Sequence, residues 1–396
     1  LLDHRIDEVW SVQSNLRYMQ MKTDYKSVYT TGLNAADPAN PLLTRRAIVN
    51  HANMDAVTAD NHAQARFNTG ALAHTALFGI DYQRLSYRED QGMGAAPSLS
   101  INQPDYAAAI ATPSITLRSK QTLDQLGLYA QDQVKLGQWT LLGGVRQDWA
   151  GNDRRNRING DATHQSDRAF TWRLGSVYEF DNGVAPYVSY SRSFQPVADA
   201  DAQGNLFKPT KGEQYEAGIK YQPPGQDAFV SAAVYQLTQS NVLTTDPANT
   251  NYSIQTGEVR SRGLELEGKA SLTRNLDLLA SYTLMDNVNT RSTTARGKHP
   301  TYVSRHSANA WANYTFHGGP LAGLSLGGGV RYVGSSYANA DNTLKVSPFT
   351  VVDAAVRYDL GQAIPSLKGL TAGINASNLF DREYVSACAT ATKCFY

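Results

Sequence analysis

From Gly263 to Leu272 the chain reads Gly-Leu-Glu-Leu-Glu-Gly-Lys-Ala-Ser-Leu, with apolar or small residues in one alternate series and Glu265, Glu267 and Lys269 in the other. Two residues is the side-chain period of a β-strand, so the segment predicts a strand with one greasy face and one wet, charged face. The same alternation returns at 170–174, 215–221, 324–332 and 352–358, with tyrosines near the strand ends. No comparable helical stretch interrupts them. Such strands repeated over most of a chain predict an all-β fold, a transmembrane antiparallel β-barrel with lipid outside and charge inside.

The connections alternate in length. Tight links rich in Gly, Asn or Pro occur at 68–73, 135–138, 181–183, 223–227 and 273–275, with a looser one at 318–323 and a longer one at 361–368. Long polar links fall between them, at 32–45, 91–116, 151–167, 196–211, 241–251, 287–301 and 337–347. Short periplasmic turns and long extracellular loops give this rhythm in an outer-membrane barrel. Counted between links there are about 16 strands of roughly 10 to 20 residues, where one crossing needs about 9 to 11. The longer ones, such as 9–31 and 254–272, are expected to project beyond the bilayer. Counting from turns at Asp7-Glu8 and Asn182-Gly183, the strands that begin at Val9, His74, Gln138, Val184 and Ala228 rise toward the exterior, which puts every long link outside.

Composition narrows the reading. Although 41% of residues are hydrophobic, no apolar run approaches the ~18 residues of a membrane helix, a test that a barrel escapes. The 22 tyrosines against 11 phenylalanines favour a chain with lipid–water boundaries to occupy. With 36 basic and 35 acidic residues the balance of +1 argues against a nucleic-acid partner. Two cysteines, Cys388 and Cys394, suggest a local disulfide in an oxidising compartment, with two unpaired thiols as the alternative. The eight histidines are scattered and show no close metal-binding spacing.

Several segments then match one family in order: Gly127-Leu128-Tyr129-Ala130-Gln131-Asp132-Gln133, Gly143-Gly144-Val145-Arg146, Phe180-Asp181-Asn182-Gly183, residues 211–220 and 261–267, and Asn378-Leu379-Phe380-Asp381-Arg382-Glu383-Tyr384-Val385 ahead of the two cysteines. The chain resembles the barrel of TonB-dependent siderophore receptors, ferrichrome-type hydroxamate receptors above all. The resemblance implies a roughly 22-stranded barrel filled by an N-terminal plug. Residues 1–396 are then expected to form one incomplete barrel domain. The plug, about five strands before Leu1 and a closing strand after Tyr396 would lie outside it, and Phe395 and Tyr396 would start one more strand.

The resemblance also implies function: uptake of a ferric siderophore, driven through TonB, by a receptor in the bacterial outer membrane. No protein cofactor is expected, because the chelator already fills the iron shell and the receptor need offer only shape, aromatic surface and a few hydrogen bonds. Tyr29 matches the first of two pocket tyrosines in the ferrichrome receptor and Thr31 stands where the second would be; Ala389 replaces a pocket phenylalanine. A second cysteine pair of that receptor, expected after Tyr29, is absent. Tyr87, Tyr106 and Phe395 are further candidates for ligand contact, with Phe207, Tyr252, Tyr302 and Tyr337 behind them. From the residues themselves, Glu216, Glu265, Glu267, Lys220, Lys269, Arg331 and Arg357 should face the interior and pair across strands or contact a plug. A passive porin is the rival reading. A hydrolase is not supported, since Ser307 and His306 are adjacent and would point to opposite faces.

Overall fold

The computed structural model describes residues 1–197, 199–246, 253–390 and 393–395. Fourteen strands follow the chain: β1 (Leu2–Arg5), β2 (Trp10–Asn34), β3 (Leu42–Thr69), β4 (Leu72–Ser100), β5 (Leu117–Leu136), β6 (Trp139–Asn156), β7 (Ala162–Tyr178), β8 (Val184–Gln195), β9 (Thr210–Tyr221), β10 (Ala228–Thr245), β11 (Ser253–Ser271), β12 (Leu276–Arg291), β13 (His306–Thr315) and β14 (Leu324–Val333). After a small hairpin, β15 (Ser336–Tyr337) with β16 (Lys345–Val346), come β17 (Phe349–Asp359) and β18 (Thr371–Ala376). β1 to β14, β17 and β18 form one 16-stranded antiparallel sheet in chain order. A second small hairpin joins β19 (Ala387–Thr390) to β20 (Lys393–Phe395).

The registers set two faces. Val188, Ala217, Val234, Leu264 and Leu284 lie opposite one another across β8 to β12, and one residue further along the same strands runs Ser189, Glu216, Tyr235, Gly263 and Met285. The first series belongs to a wide apolar face that carries Phe78, Leu128, Val145, Leu174, Ile219, Leu266, Val330 and Ile374, all exposed. The second holds Glu265, Glu267, Lys220, Lys269, Arg331 and Arg357, so the expected division of faces is present. It is not uniformly polar, since Leu279 lies opposite Lys269 and Trp311 in the same series.

Aromatic rings bound the apolar face at both ends. Toward the long links, Trp172, Tyr190 and Tyr215 form a chain with centroids 4.4 and 4.8 Å apart. Toward the tight links, Trp139 meets Tyr178 at 4.8 Å and Tyr178 meets Phe180 at 4.6 Å. On β7 the two belts are about 20 Å apart along the strand, close to the roughly 25 Å apolar band of an outer-membrane barrel.

The tight turns explain themselves. Gly70 and Gly137 each occupy the first of two turn residues, at φ +64° and +56°, a conformation open to glycine at no steric cost. A Cβ at Gly137 would meet no atom within 4 Å, so Gly137→Ala isolates the backbone term. It should cost about 1 to 2 kcal/mol in denaturant unfolding of the protein in lipid vesicles.

The long links need correction. β4 runs to Ser100 and β6 and β7 leave only 157–161 between them, so much of the expected links at 91–116 and 151–167 is paired strand. Above the bilayer neither face meets lipid, so the hydrophobic alternation stops while the backbone pairing continues. The link at 241–251 likewise opens on β10, and 247–251 lie outside the described residues. The 361–368 link contains a helical turn, α1 (Leu360–Ala363), whose first turn is capped by the Asp359 carboxylate accepting from the Gly361 amide at 3.0 Å. Phe395 pairs with Ala387 in the β19–β20 hairpin and does not join the main sheet, because its backbone hydrogen bonds go to its own chain neighbour β19. Tyr396 lies outside the described residues.

Candidate functional site: the charged face and its loop end

Asp60, Asp81, Gly127 and Asp148 are direct partners in successive strands from β3 to β6. Two carboxylates placed opposite each other repel. Arg146, two residues from Asp148, relieves this: its Nη2 lies 3.0 Å from Asp81 Oδ1 and 2.6 Å from Asp148 Oδ1, while Nη1 bonds Asp81 Oδ2. The guanidinium passes over Gly127, where an added Cβ would sit 2.0 Å from Nη2. Tyr129 donates its hydroxyl to Asp60 at 2.7 Å and its ring lies 5.8 Å from the Arg146 carbon, and Gln125 donates to Asp148 at 2.8 Å. Asp148, only 2% exposed, is thus fully paired. This brace of four strands is absent from the expectations above, although the alternation puts Arg146 and Asp148 on one face.

Elsewhere the expected cross-strand pairing is partial. Arg331 meets Asp353 through two bonds of 2.5 and 3.0 Å, and the Asn378 amide donates to the same carboxylate at 2.9 Å. Glu216 instead accepts from the Tyr187 hydroxyl at 2.7 Å and from Gln214 at 2.9 Å, and Lys220 lies 5.2 Å from the Tyr187 ring centre. Among the described residues, Glu265, Glu267, Lys269 and Arg357 form no ion pair. Their carboxylates and cations stand along one wall and are available to whatever fills its concave side.

The candidate ligand residues do not converge on one point. Tyr29 lies opposite Arg46, which lies opposite Ala95, and its hydroxyl reaches the Met93 sulfur at 4.0 Å. Thr31 donates to the Thr44 hydroxyl at 3.0 Å beside a strand irregularity. Tyr87 shares their face but lies eight residues from Ala95 along β4, about 26 Å deeper. Tyr106, 82% exposed, lies in the link after β4. Phe207 is buried, its carbonyl accepting from Gln165 at 2.8 Å, which is the packing role. Tyr252 lies outside the described residues. The His306 ring, next to Ser307, bonds the Tyr282 hydroxyl at 2.8 Å, while the Ser304 hydroxyl donates to the His306 carbonyl at 2.7 Å and not to the ring.

At the loop end, Cys388 and Cys394 are joined with sulfurs 2.05 Å apart, closing the hairpin that carries Phe395. Cys388 packs with Ala338, Val346, Leu344 and Val385, so this hairpin rests on β15–β16. Tyr302, at φ +63°, donates its hydroxyl to the Cys388 carbonyl at 3.2 Å. In the link after β8, Asp201 accepts from the Asn205 side chain at 2.9 Å and from the Asn205 and Gln203 amides at 2.8 and 2.9 Å. The Asn205 side chain, helped by these amides, holds the Asp201 carboxyl below the usual carboxylate range. That contribution to loop order is present above the ordinary carboxylate pKa and is lost as pH falls through the lowered value. Among the described residues no cluster of His, Cys, Asp or Glu could hold a metal ion.

A wide antiparallel sheet with a belted apolar face and a charged reverse is the wall of an outer-membrane β-barrel. Residues 1–379 match the family described as TonB dependent receptor-like, beta-barrel, and the chain belongs to it. It is 39% identical, over its whole length, to the ferrichrome outer membrane transporter/phage receptor of Escherichia coli K12, and covers 55% of that protein. It is 36% identical to the ferrioxamine B receptor of Salmonella typhimurium, again over all of the chain and 55% of the relative. The chain thus spans about half the length of these curated relatives. Among solved structures, the ferric-catecholate import receptor Fiu of E. coli superposes with a TM-score of 0.83 at 20% identity, over 99% of this chain and 60% of that one. The fold is therefore that of part of a receptor barrel.

Proposed function

We propose that the parent protein is an active-transport receptor for a ferric siderophore of the hydroxamate type, energised through TonB by contacts made outside this chain. The observation that carries this is the chain-long identity to receptors named for ferrichrome and ferrioxamine B, two hydroxamate chelators. Unpaired Glu265, Glu267 and Lys269 suit a polar interior, whether it holds water or a plug, so the preference over a passive porin rests on the identity. No catalytic role and no protein-bound cofactor are assigned, and the iron stays inside its chelator as cargo.

The experiment is growth under iron limitation. A receptor-null strain carrying the parent gene and fed single ferric siderophores should grow on at least one trihydroxamate and lose that growth without TonB. Growth independent of TonB, with high single-channel conductance of the purified protein, would replace the reading by a porin.

Tyr29, with Thr31 beside it, is proposed as part of the ligand pocket, since it faces the concave side near the extracellular end. Tyr106 and Phe395 could contribute from loops and Tyr87 from deeper in the wall. Tyr29→Ala should weaken siderophore binding by about 0.5 to 1.5 kcal/mol beyond lost area, if its ring packs on the chelator. Unchanged affinity at normal surface expression would make Tyr29 an anchoring residue only.

A further inference from the structure

At the extracellular end a recess of about 190 Å³ opens between the end of β12 and the two links on either side of β13 and β14. It is too small for a whole ligand of drug size, which needs about 300 Å³ or more, but it fits one arm of a larger one. Met285 and Asn287 supply its floor from the same alternate series as Thr283, the partner of Glu265, so it opens on the charged side of the wall.

Its rim is cationic. Arg305 and Lys345 both line it, neither forms an ion pair among the described residues, and no carboxylate lines it. The nearest acidic neighbour in sequence, Asp286, belongs to the opposite series and lies across from Arg262. The side-chain oxygen of Asn287 is shut off from solvent and has no hydrogen-bond partner.

The recess is also held in shape. His299 donates from Nδ1 to the Asn287 carbonyl at 2.7 Å, since a carbonyl can only accept, and its ring stacks on Tyr337 with centroids 5.8 Å apart. The His299 amide donates to Asn342 Oδ1 at 2.7 Å, and Asn342 Nδ2 donates back to the His299 carbonyl at 3.0 Å. These two bonds staple one link to the other before any ligand arrives, which lowers the ordering cost of binding.

From the two unpaired cations, the lack of any lining carboxylate and the size of the recess, we infer that it is a subsite for a peripheral arm of the ferric chelator that ends in a carboxylate. Arg305 and Lys345 take the carboxylate. This rests on the receptor reading, and gives the preferred cargo a negative periphery that a neutral or cationic trihydroxamate lacks.

The test uses the complete receptor in detergent and two ferric trihydroxamates of equal core, one with a terminal amide-linked carboxylate arm and one with that arm capped as its methyl ester. Wild type should bind the acid more tightly than the ester. Lys345→Gln and Arg305→Gln should each weaken the acid about tenfold, the scale of one charge-assisted hydrogen bond, and leave the ester within about twofold. Lys345→Arg, which keeps the charge, should retain the preference. Equal affinity of wild type for acid and ester, or variants that weaken both alike, would overturn the subsite while leaving the receptor reading intact. Failure of the wild type to bind either chelator would instead remove the receptor reading and the subsite with it.

Discussion

Replacing Leu266 by arginine is expected to destabilise the receptor by about 2 to 4 kcal/mol, the scale of a cation on the lipid face near the bilayer midplane. Leu266 lies between Ala232 and Tyr282 in the apolar series and is 40% exposed with nothing but lipid to cover it. Its chain neighbour Glu267 points the other way, so Glu267→Gln should cost far less, unless a plug residue holds that carboxylate. A slip of one residue in register would exchange the two outcomes. Denaturant unfolding of the complete receptor in lipid vesicles reads both. Two small, equal effects would mean that Leu266 does not meet lipid.

The second large effect is expected at Arg146. Arg146→Met removes the cation that Asp81 and Asp148 share and leaves Asp148 buried with only Gln125 donating. Breaking a buried pair costs about 3 to 5 kcal/mol; because the guanidinium is 30% exposed, about 2 to 3 kcal/mol is expected here. Adding Asp81→Asn and Asp148→Asn to Arg146→Met should recover part of the loss, since no unpaired carboxylate then remains opposite Asp60. If the triple variant is less stable than the single one by the sum of the separate losses, the brace is three independent contacts and not a network.

Much of this wall is legible in the sequence because a barrel strand is marked wherever one of its faces touches lipid. The apolar series through Leu264, Leu266 and Val234 announces itself, and so do the Gly70 and Gly137 turns. The signal ends where lipid ends. The upper parts of β3, β4 and β6 lie beyond the lipid and are covered in places by other protein, Val49 being 1% and Asn152 4% exposed, so their pairing leaves no regular alternation to read. The β15–β16 hairpin, only two residues per strand, is too short for any period. The Arg146 brace was hidden for another reason: Asp60, Asp81 and Asp148 lie far apart in the chain, and only the registers of β3 to β6 bring them into one row. The same holds for Arg305 and Lys345, which belong to different links. Tyr29 and Thr31, by contrast, stand beside each other in the chain, and their shared position follows from that.

The chain-order pairing of the sheet has a kinetic consequence. Each strand from β2 to β14 lies beside its own predecessor and successor, so every step of assembly closes only a hairpin and never waits for a distant segment. Loop-closure entropy then stays nearly constant from one strand to the next. Such a wall can zip up progressively at a pace set by its longest hairpin, β3 with β4, whose 28 and 29 residues must find register before the next strand has a template to grow on.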